Sequence, residues 1–112
     1  MTRKVKAAAS WNMKEKLYED LRDPSYAAAY VNDALLEGDE VVFKTAVADV
    51  IRARGVGKVA EAAGINRVTI FKTLKPETRT SFTTYHSLLT ACGIDFATRP
   101  MKPKPRSRSA QK

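Results

Sequence analysis

The stretch VGKVAEAAGINRVTIFKTLK, residues 56–75, decides the fold, because it reads as two short helices joined by a tight turn. Small Ala60 suits the point where two steeply crossing helices touch. Gly64 can take the positive φ that closes the first helix, and Asn66 is a good N-cap for the second. The pattern is typical of a helix-turn-helix whose second helix enters the DNA major groove. A plain helical hairpin with a solvated basic face is the alternative.

The apolar positions of this stretch, at helical spacing, are predicted to face the core: Val59, Ala63, Ile65, Ile70 and Leu74. The remaining side chains are then left on the outer face: Arg67, Val68, Thr69, Phe71, Lys72 and Lys75. Arg67 and Lys72 are the best candidates for contact with base edges or phosphates. Thr69 can donate a hydrogen bond to a phosphate, and Lys58 and Lys75 are expected to contact the backbone from either side.

Length and cysteine content limit the class of protein. A chain of 112 residues is one domain plus tails. The single cysteine, Cys92, excludes an intramolecular disulfide and fits a reducing cytoplasm, where we expect the protein. The basic N-terminus lacks the apolar core of a signal peptide, and no apolar run approaches the roughly 20 residues that span a membrane.

The net charge of +8 is unevenly distributed. Residues 1–16 carry +4 and residues 99–112 carry +6, so residues 17–98 carry −2. Within that middle part, residues 17–40 carry −6 and residues 41–98 carry +4. An acidic first part and a basic second part indicate two surfaces with two kinds of partner.

The remaining helices are bounded by capping residues. Asp23-Pro24 predicts a helix start and Gly38 its end, and Asp39 to Gly55 bound the next helix. Thr80 or Ser81 caps a last helix that closes at Gly93. The predicted buried faces comprise Tyr26, Ala27, Tyr30, Val31, Ala34 and Leu35; Phe43, Ala46, Val47, Val50 and Ile51; and Phe82, Tyr85, Leu88, Leu89 and Cys92. Tyr26 and Tyr30 could instead contact a partner.

We therefore predict an all-α fold: a five-helix helix-turn-helix domain at residues 17–98, between a flexible basic arm (residues 1–16) and a disordered basic tail (residues 99–112). Ile94 and Phe96 alternate with polar or small residues, which suits a short strand or an extended edge. Such a strand would need a partner, most simply its copy in a second protomer. Trp11 either folds back on the body or hooks a partner subunit.

Catalytic and metal-binding patterns are missing from the sequence. His86 is the single histidine, Cys92 has no companion thiol, and the glycines stand singly near helix ends instead of forming a phosphate-binding loop. We expect neither an enzyme nor a bound cofactor.

The chain from about Asp23 to Thr98 resembles the probable addiction-module antidote proteins, HigA-like antitoxins with a Cro/C1-type helix-turn-helix. The segments that carry the resemblance are DPSYAAAYVNDALLEGD (23–39), with its YVNDALLEGD run, IRARG, the AEAAGINR turn and the final CGIDF. Phe71 stands where this family more often has a polar residue or Tyr, so contact with a thymine methyl is the role left to it. The two basic arms lie outside the resemblance.

This resemblance implies a small protein encoded beside a RelE/HigB-like toxin that cleaves mRNA. The protein would neutralise the toxin and, as a homodimer, repress its own promoter at a palindromic operator. Carried over by position, the groove-facing residues are Asn66, Arg67, Val68, Phe71 and Lys72. The DNA-binding set is then Lys58, Asn66, Arg67, Val68, Thr69, Phe71, Lys72 and Lys75.

Two alternatives remain. An antitoxin that has lost operator binding would only mask the toxin, with its acidic first helix as the docking surface. An orphan phage-type regulator would bind DNA without any toxin. The neighbouring reading frame separates them, because a small, basic, RelE-like gene supports the antitoxin.

Overall fold

A computed structural model describes residues 13–102, so residues 1–12, including Trp11, and residues 103–112 lie outside it. The described part is helical and contains no strand, which confirms the all-α prediction. Its six helices are α1 (residues 13–21), α2 (Pro24–Leu36), α3 (Glu40–Arg54), α4 (Val56–Ala63), α5 (Arg67–Thr73) and α6 (Phe82–Ala91). None of them is both long and apolar enough to cross a membrane.

Helix α1 is the element that the sequence pattern does not predict. It includes residues 13–16, which the pattern places in the flexible arm. Leu17 and Tyr18 pack against the core from this helix, and Leu21 is buried in it. Leu17 and Leu21 are four residues apart and so lie on one helix face, which is the signal for this short helix.

The predicted helix starts are confirmed by their capping hydrogen bonds. The carboxylate of Asp23 accepts from the Ser25 amide at 3.1 Å, with Pro24 in the first turn. The Asp39 carboxylate accepts from the Val41 amide at 2.9 Å. Of the two candidates for α6, Ser81 is the cap. Each cap satisfies an amide that has no partner within its own helix.

Helix α3 is the centre of the core, since it contacts α2, α4 and α6. Its Val47, Val50 and Ile51 have no solvent exposure. Most of the predicted buried positions are buried, but Phe82, Leu35 and Tyr26 are 64%, 44% and 44% exposed. The buried faces predicted from helical spacing are therefore wider than the faces that α2 and α6 actually bury.

Of the two predictions for the C-terminal segment, a short strand or an extended edge, the strand is wrong for the described chain. Residues 94–102 have no regular secondary structure. Ile94 is buried, and its amide donates to the Leu89 carbonyl at 2.9 Å, which ties the segment to the end of α6. Phe96 packs against Phe82, with ring centroids 5.0 Å apart. The alternation at residues 94–96 thus reflects packing onto helices instead of strand pairing.

Two tyrosines connect helices through carboxylates. The Tyr85 hydroxyl of α6 donates to Glu40 Oε2 at 2.6 Å, and the half-buried Tyr30 of α2 donates to Asp49 Oδ2 at 2.7 Å. Burial, followed by the bonded carboxylate, raises the pKa of both phenols far above the ordinary value of about 10.

We expect Tyr85→Phe to lower the free energy of unfolding by about 1–2 kcal/mol at pH 7, because the carboxylate loses its hydrogen-bond donor. The raised pKa means that the unfolded chain loses the phenolic proton first as the pH rises. The stabilisation is therefore complete below about pH 10 and is lost above it. Urea melts between pH 7 and 11 should show a shallower alkaline decline in the variant. Tyr26→Phe, at an exposed tyrosine, is the control, and an equal effect there would contradict the assignment.

Candidate nucleic-acid interface

The turn between α4 and α5 has the geometry that the sequence predicts. Gly64 adopts φ 69°, in the left-handed region. The Ile65 amide donates to the Ala60 carbonyl at 3.0 Å, and the Gly64 amide donates to the Glu61 carbonyl at 3.3 Å. These are the two bonds of a Schellman ending, so the backbone itself sets the direction in which α5 leaves α4.

Asn66 is the N-cap of α5, as predicted. Its Oδ1 accepts from the Val68 amide at 2.8 Å. The side chain is therefore held by its own helix through the oxygen, while the amide nitrogen remains a hydrogen-bond donor. The inner face of α5 is anchored by Ile70, which is fully buried, and by Leu74 in the turn that follows.

The C-terminal end of α5 is held by a buried lysine. Lys44 of α3 is 2% exposed, and its Nζ donates to the carbonyl of Lys75 at 2.8 Å and to that of Thr78. Thr78 Oγ1 donates to the Lys72 carbonyl at 3.0 Å. These donors add hydrogen bonds to carbonyls at the end of α5 and in the turn that follows it, where helical partners are missing. The positive charge of Lys44 also interacts favourably with the negative end of the α5 dipole.

The outer face of the α4–α5 pair is basic and exposed. Val68 is 76% exposed, and the other exposed side chains of this face are Lys58, Asn66, Arg67, Thr69, Lys72 and Lys75. Across residues 13–102 the one ion pair joins Lys16 to Asp20, at 3.8 Å. None of the four cations of this face forms an ion pair within residues 13–102, so they are available to an external partner.

Phe71 differs from the fully exposed aromatic that the sequence predicts. It is half-buried, packs against the core and lies under the guanidinium of Arg52, whose Cζ is 4.8 Å from the ring centroid. This cation–π contact places an exposed cation of α3 beside α5. The sequence pattern does not single out Arg52 for this face, because the contact depends on how α5 crosses α3.

The other reactive side chains that the sequence singles out, His86 and Cys92, have packing roles in the described chain. His86 is exposed and stacks on Phe96, with centroids 6.1 Å apart. Burial raises the pKa of the Cys92 thiol to about 11, while nearby Arg54 lowers it less strongly. Cys92 is therefore protonated and inert at neutral pH. Residues 13–102 contain no cluster of three His, Cys, Asp or Glu side chains that could hold a metal ion.

Two comparisons with known proteins found a match, and a third found none. The chain is 28% identical over 78 residues to an uncharacterized protein of Haemophilus influenzae (strain KW20/Rd), an alignment that covers 70% of this chain and 80% of that protein. No solved structure matches the chain significantly. The model of the family "Probable addiction module antidote protein" matches residues 11–100. Since this match takes in nearly all of the described chain, the protein belongs to the probable addiction module antidote family.

Proposed function

We propose that the protein is the antitoxin of a toxin–antitoxin module and the repressor of its own operon. In this proposal it neutralises a RelE/HigB-like toxin and binds a palindromic operator as a homodimer, with α5 in the major groove. Membership of the antidote family supports the toxin half. The cation-rich face of α4 and α5 supports the DNA half.

The observation that carries the DNA half is the contrast between the two faces of α5. The core, the Asn66 cap and Lys44 hold its inner face and both ends, whereas Arg67, Thr69 and Lys72 make no side-chain hydrogen bond or ion pair within the described chain. Arg67 stands in the first turn, where the positive end of the helix dipole disfavours a cation. A phosphate or a guanine edge would offset that repulsion, so Arg67 is placed better for a ligand than for helix stability.

The remaining residues take different roles in the proposed interface. Lys72 contacts a base edge or phosphate, Thr69 a phosphate, and Lys58 and Lys75 the backbone on either side. Val68 offers an apolar surface to a thymine methyl. Asn66 donates through its free amide nitrogen. Half-buried Phe71 acts by supporting Arg52, which adds a phosphate contact that the sequence pattern does not suggest.

A DNase I footprint on the DNA upstream of the gene tests the operator half. A homodimer with two recognition helices should protect two half-sites about one helical turn, roughly 34 Å, apart. Protection that is continuous and independent of sequence would contradict the proposal.

Growth rescue tests the toxin half. The product of the adjacent reading frame should arrest growth when expressed alone, and co-expression of this protein should restore it. Rescue without a footprint would favour an antitoxin that only masks its toxin. A footprint without a toxic neighbour would favour an orphan regulator.

The basic tail is expected to add affinity without specificity. Deleting residues 99–112 removes six cations and no acidic side chain. We expect operator and scrambled DNA to lose about the same affinity, roughly tenfold at low salt, with a flatter dependence on salt. Anisotropy titrations of both duplexes at several salt concentrations measure this. A change in the ratio of the two affinities would contradict the division of roles between tail and α5.

A further inference from the structure

A groove with a volume of about 400 Å³ lies between α2 and the first half of α3. Its lining includes the small, buried side chains of Ala34 and Ala46, which give it depth. Val41 and Val42 also line it, and they are 44% and 38% exposed. The groove therefore offers apolar surface that no described residue covers.

The charged side chains that line this groove are Asp33 and Glu37, and no lysine or arginine lines it. The other carboxylates that cap or belong to α2 and α3 have a structural partner: Asp23 and Asp39 cap helices, Asp49 accepts from Tyr30, and Glu40 accepts from Tyr85. The carboxylates of Asp33 and Glu37 have none of these roles.

The positions of these two carboxylates oppose the stability of their own helix. Asp33 lies in the last part of α2, and Glu37 is its C-cap, where the helix dipole disfavours negative charge. They are also four residues apart, so like charges face each other on one side of the helix. A cationic ligand would relieve both repulsions.

We propose that this groove is the docking site for the toxin, and that it takes a basic segment with an apolar anchor side chain. The anchor packs between Val41, Val42 and the two alanines, and the flanking cations pair with Asp33 and Glu37. This inference rests on the proposed function, because it names the surface that binds the toxin. The groove lies toward the opposite end of α3 from Arg52, since Val41 and Arg52 are separated by about 16 Å of helical rise.

The protein's own basic tail fits the groove less well. Residues 103–112, PKPRSRSAQK, carry four cations but no large apolar side chain. They match the charge of Asp33 and Glu37 and leave the apolar surface uncovered, whereas a partner segment with a Leu, Ile or Phe anchor satisfies both.

The test measures the affinity of the full-length protein for the purified product of the adjacent reading frame. The double variant Asp33→Lys/Glu37→Lys should bind at least about tenfold more weakly, because it reverses two charges that face a basic segment. Val42→Gln should weaken binding by about fivefold without any change of charge. The matched control is Glu61→Lys/Glu77→Lys, which reverses two exposed charges outside the groove and should bind within about twofold of wild type.

Thermal melting and operator binding of the groove variant show whether a loss of toxin affinity is local to the groove or comes from misfolding. A lysine near the end of α2 suits the helix dipole, so the groove variant should melt no lower than wild type and should still bind the operator. Wild-type affinity in the groove variants, or weakening in the control pair alone, would overturn this inference and leave the proposed function intact. A change in the oligomeric state of the free groove variant, with toxin affinity intact, would assign the groove to a second copy of the chain and also overturn it. Failure of the wild type to bind would overturn both the toxin half of the proposed function and this inference.

Discussion

Replacing Lys44 by alanine is expected to lower the free energy of unfolding by about 3 kcal/mol. The side chain is 2% exposed, so its removal leaves a cavity beneath α5. It also removes the donor to the Thr78 carbonyl and one of the two donors to the Lys75 carbonyl. Urea denaturation followed by circular dichroism measures the change.

The control for this prediction is Lys58→Ala, at an exposed lysine of α4, which should change stability by less than about 0.5 kcal/mol. Lys44→Met separates packing from hydrogen bonding, because methionine keeps the apolar stem and lacks the donor. In that variant we expect faster hydrogen exchange at the Thr78 amide, which donates to the Lys75 carbonyl at 3.0 Å. Wild-type exchange there would show that the turn after α5 does not depend on Lys44.

The double variant Arg67→Ala/Lys72→Ala is expected to weaken operator binding by about 3 kcal/mol, more than a hundredfold. Arg67 and Lys72 are exposed on the outer face of α5, so the loss comes from the contacts with DNA and not from unfolding. Arg67→Ala alone should weaken binding by about 1–3 kcal/mol and relax the base preference at one operator position. Anisotropy titrations against a panel of operators with single base changes measure both effects.

The matched control is the double variant Lys14→Ala/Arg22→Ala, which removes two exposed cations outside α4 and α5. It lowers the net charge equally and should change operator affinity by less than about threefold. Equal loss in the two double variants would mean that the total charge, and not the face of α5, determines binding.

Local chemistry made much of this fold predictable. The caps at Asp23, Asp39 and Asn66 and the left-handed Gly64 depend on residues within a few positions along the chain. The sequence therefore predicts α2 to α6 and the buried side of α5. Helix α1 is short, and a single pair of leucines marks its buried face.

Contacts between distant parts of the chain were not predictable. Lys44 lies 31 and 34 residues from its two carbonyl acceptors, and Arg54 lies 38 residues from the Cys92 carbonyl that it caps at the end of α6. The position of Phe71 under Arg52 likewise depends on how α5 crosses α3. A single sequence carries no signal for such pairs, so it indicates the exposed basic face without showing what holds it in place.

The candidate interface was likewise predictable in its local features and not in its long-range contacts. Helical spacing predicts that Arg67, Thr69 and Lys72 are exposed, and all three side chains are. It does not distinguish a fully exposed Phe71 from a half-buried one, because that difference depends on the neighbouring helix. Nor does spacing reveal the acidic groove, which requires α2 and α3 to be packed side by side.

The central claim is that α5 reads a sequence upstream of the protein's own gene. Fluorescence anisotropy with that upstream duplex and with a scrambled duplex of equal length, each titrated at several salt concentrations, tests it most directly. We predict tighter binding to the upstream duplex, with a preference that persists at high salt, where the sequence-independent phosphate contacts weaken. Equal binding to both duplexes that disappears together as salt rises would contradict the claim, because the basic tails would then supply all of the affinity.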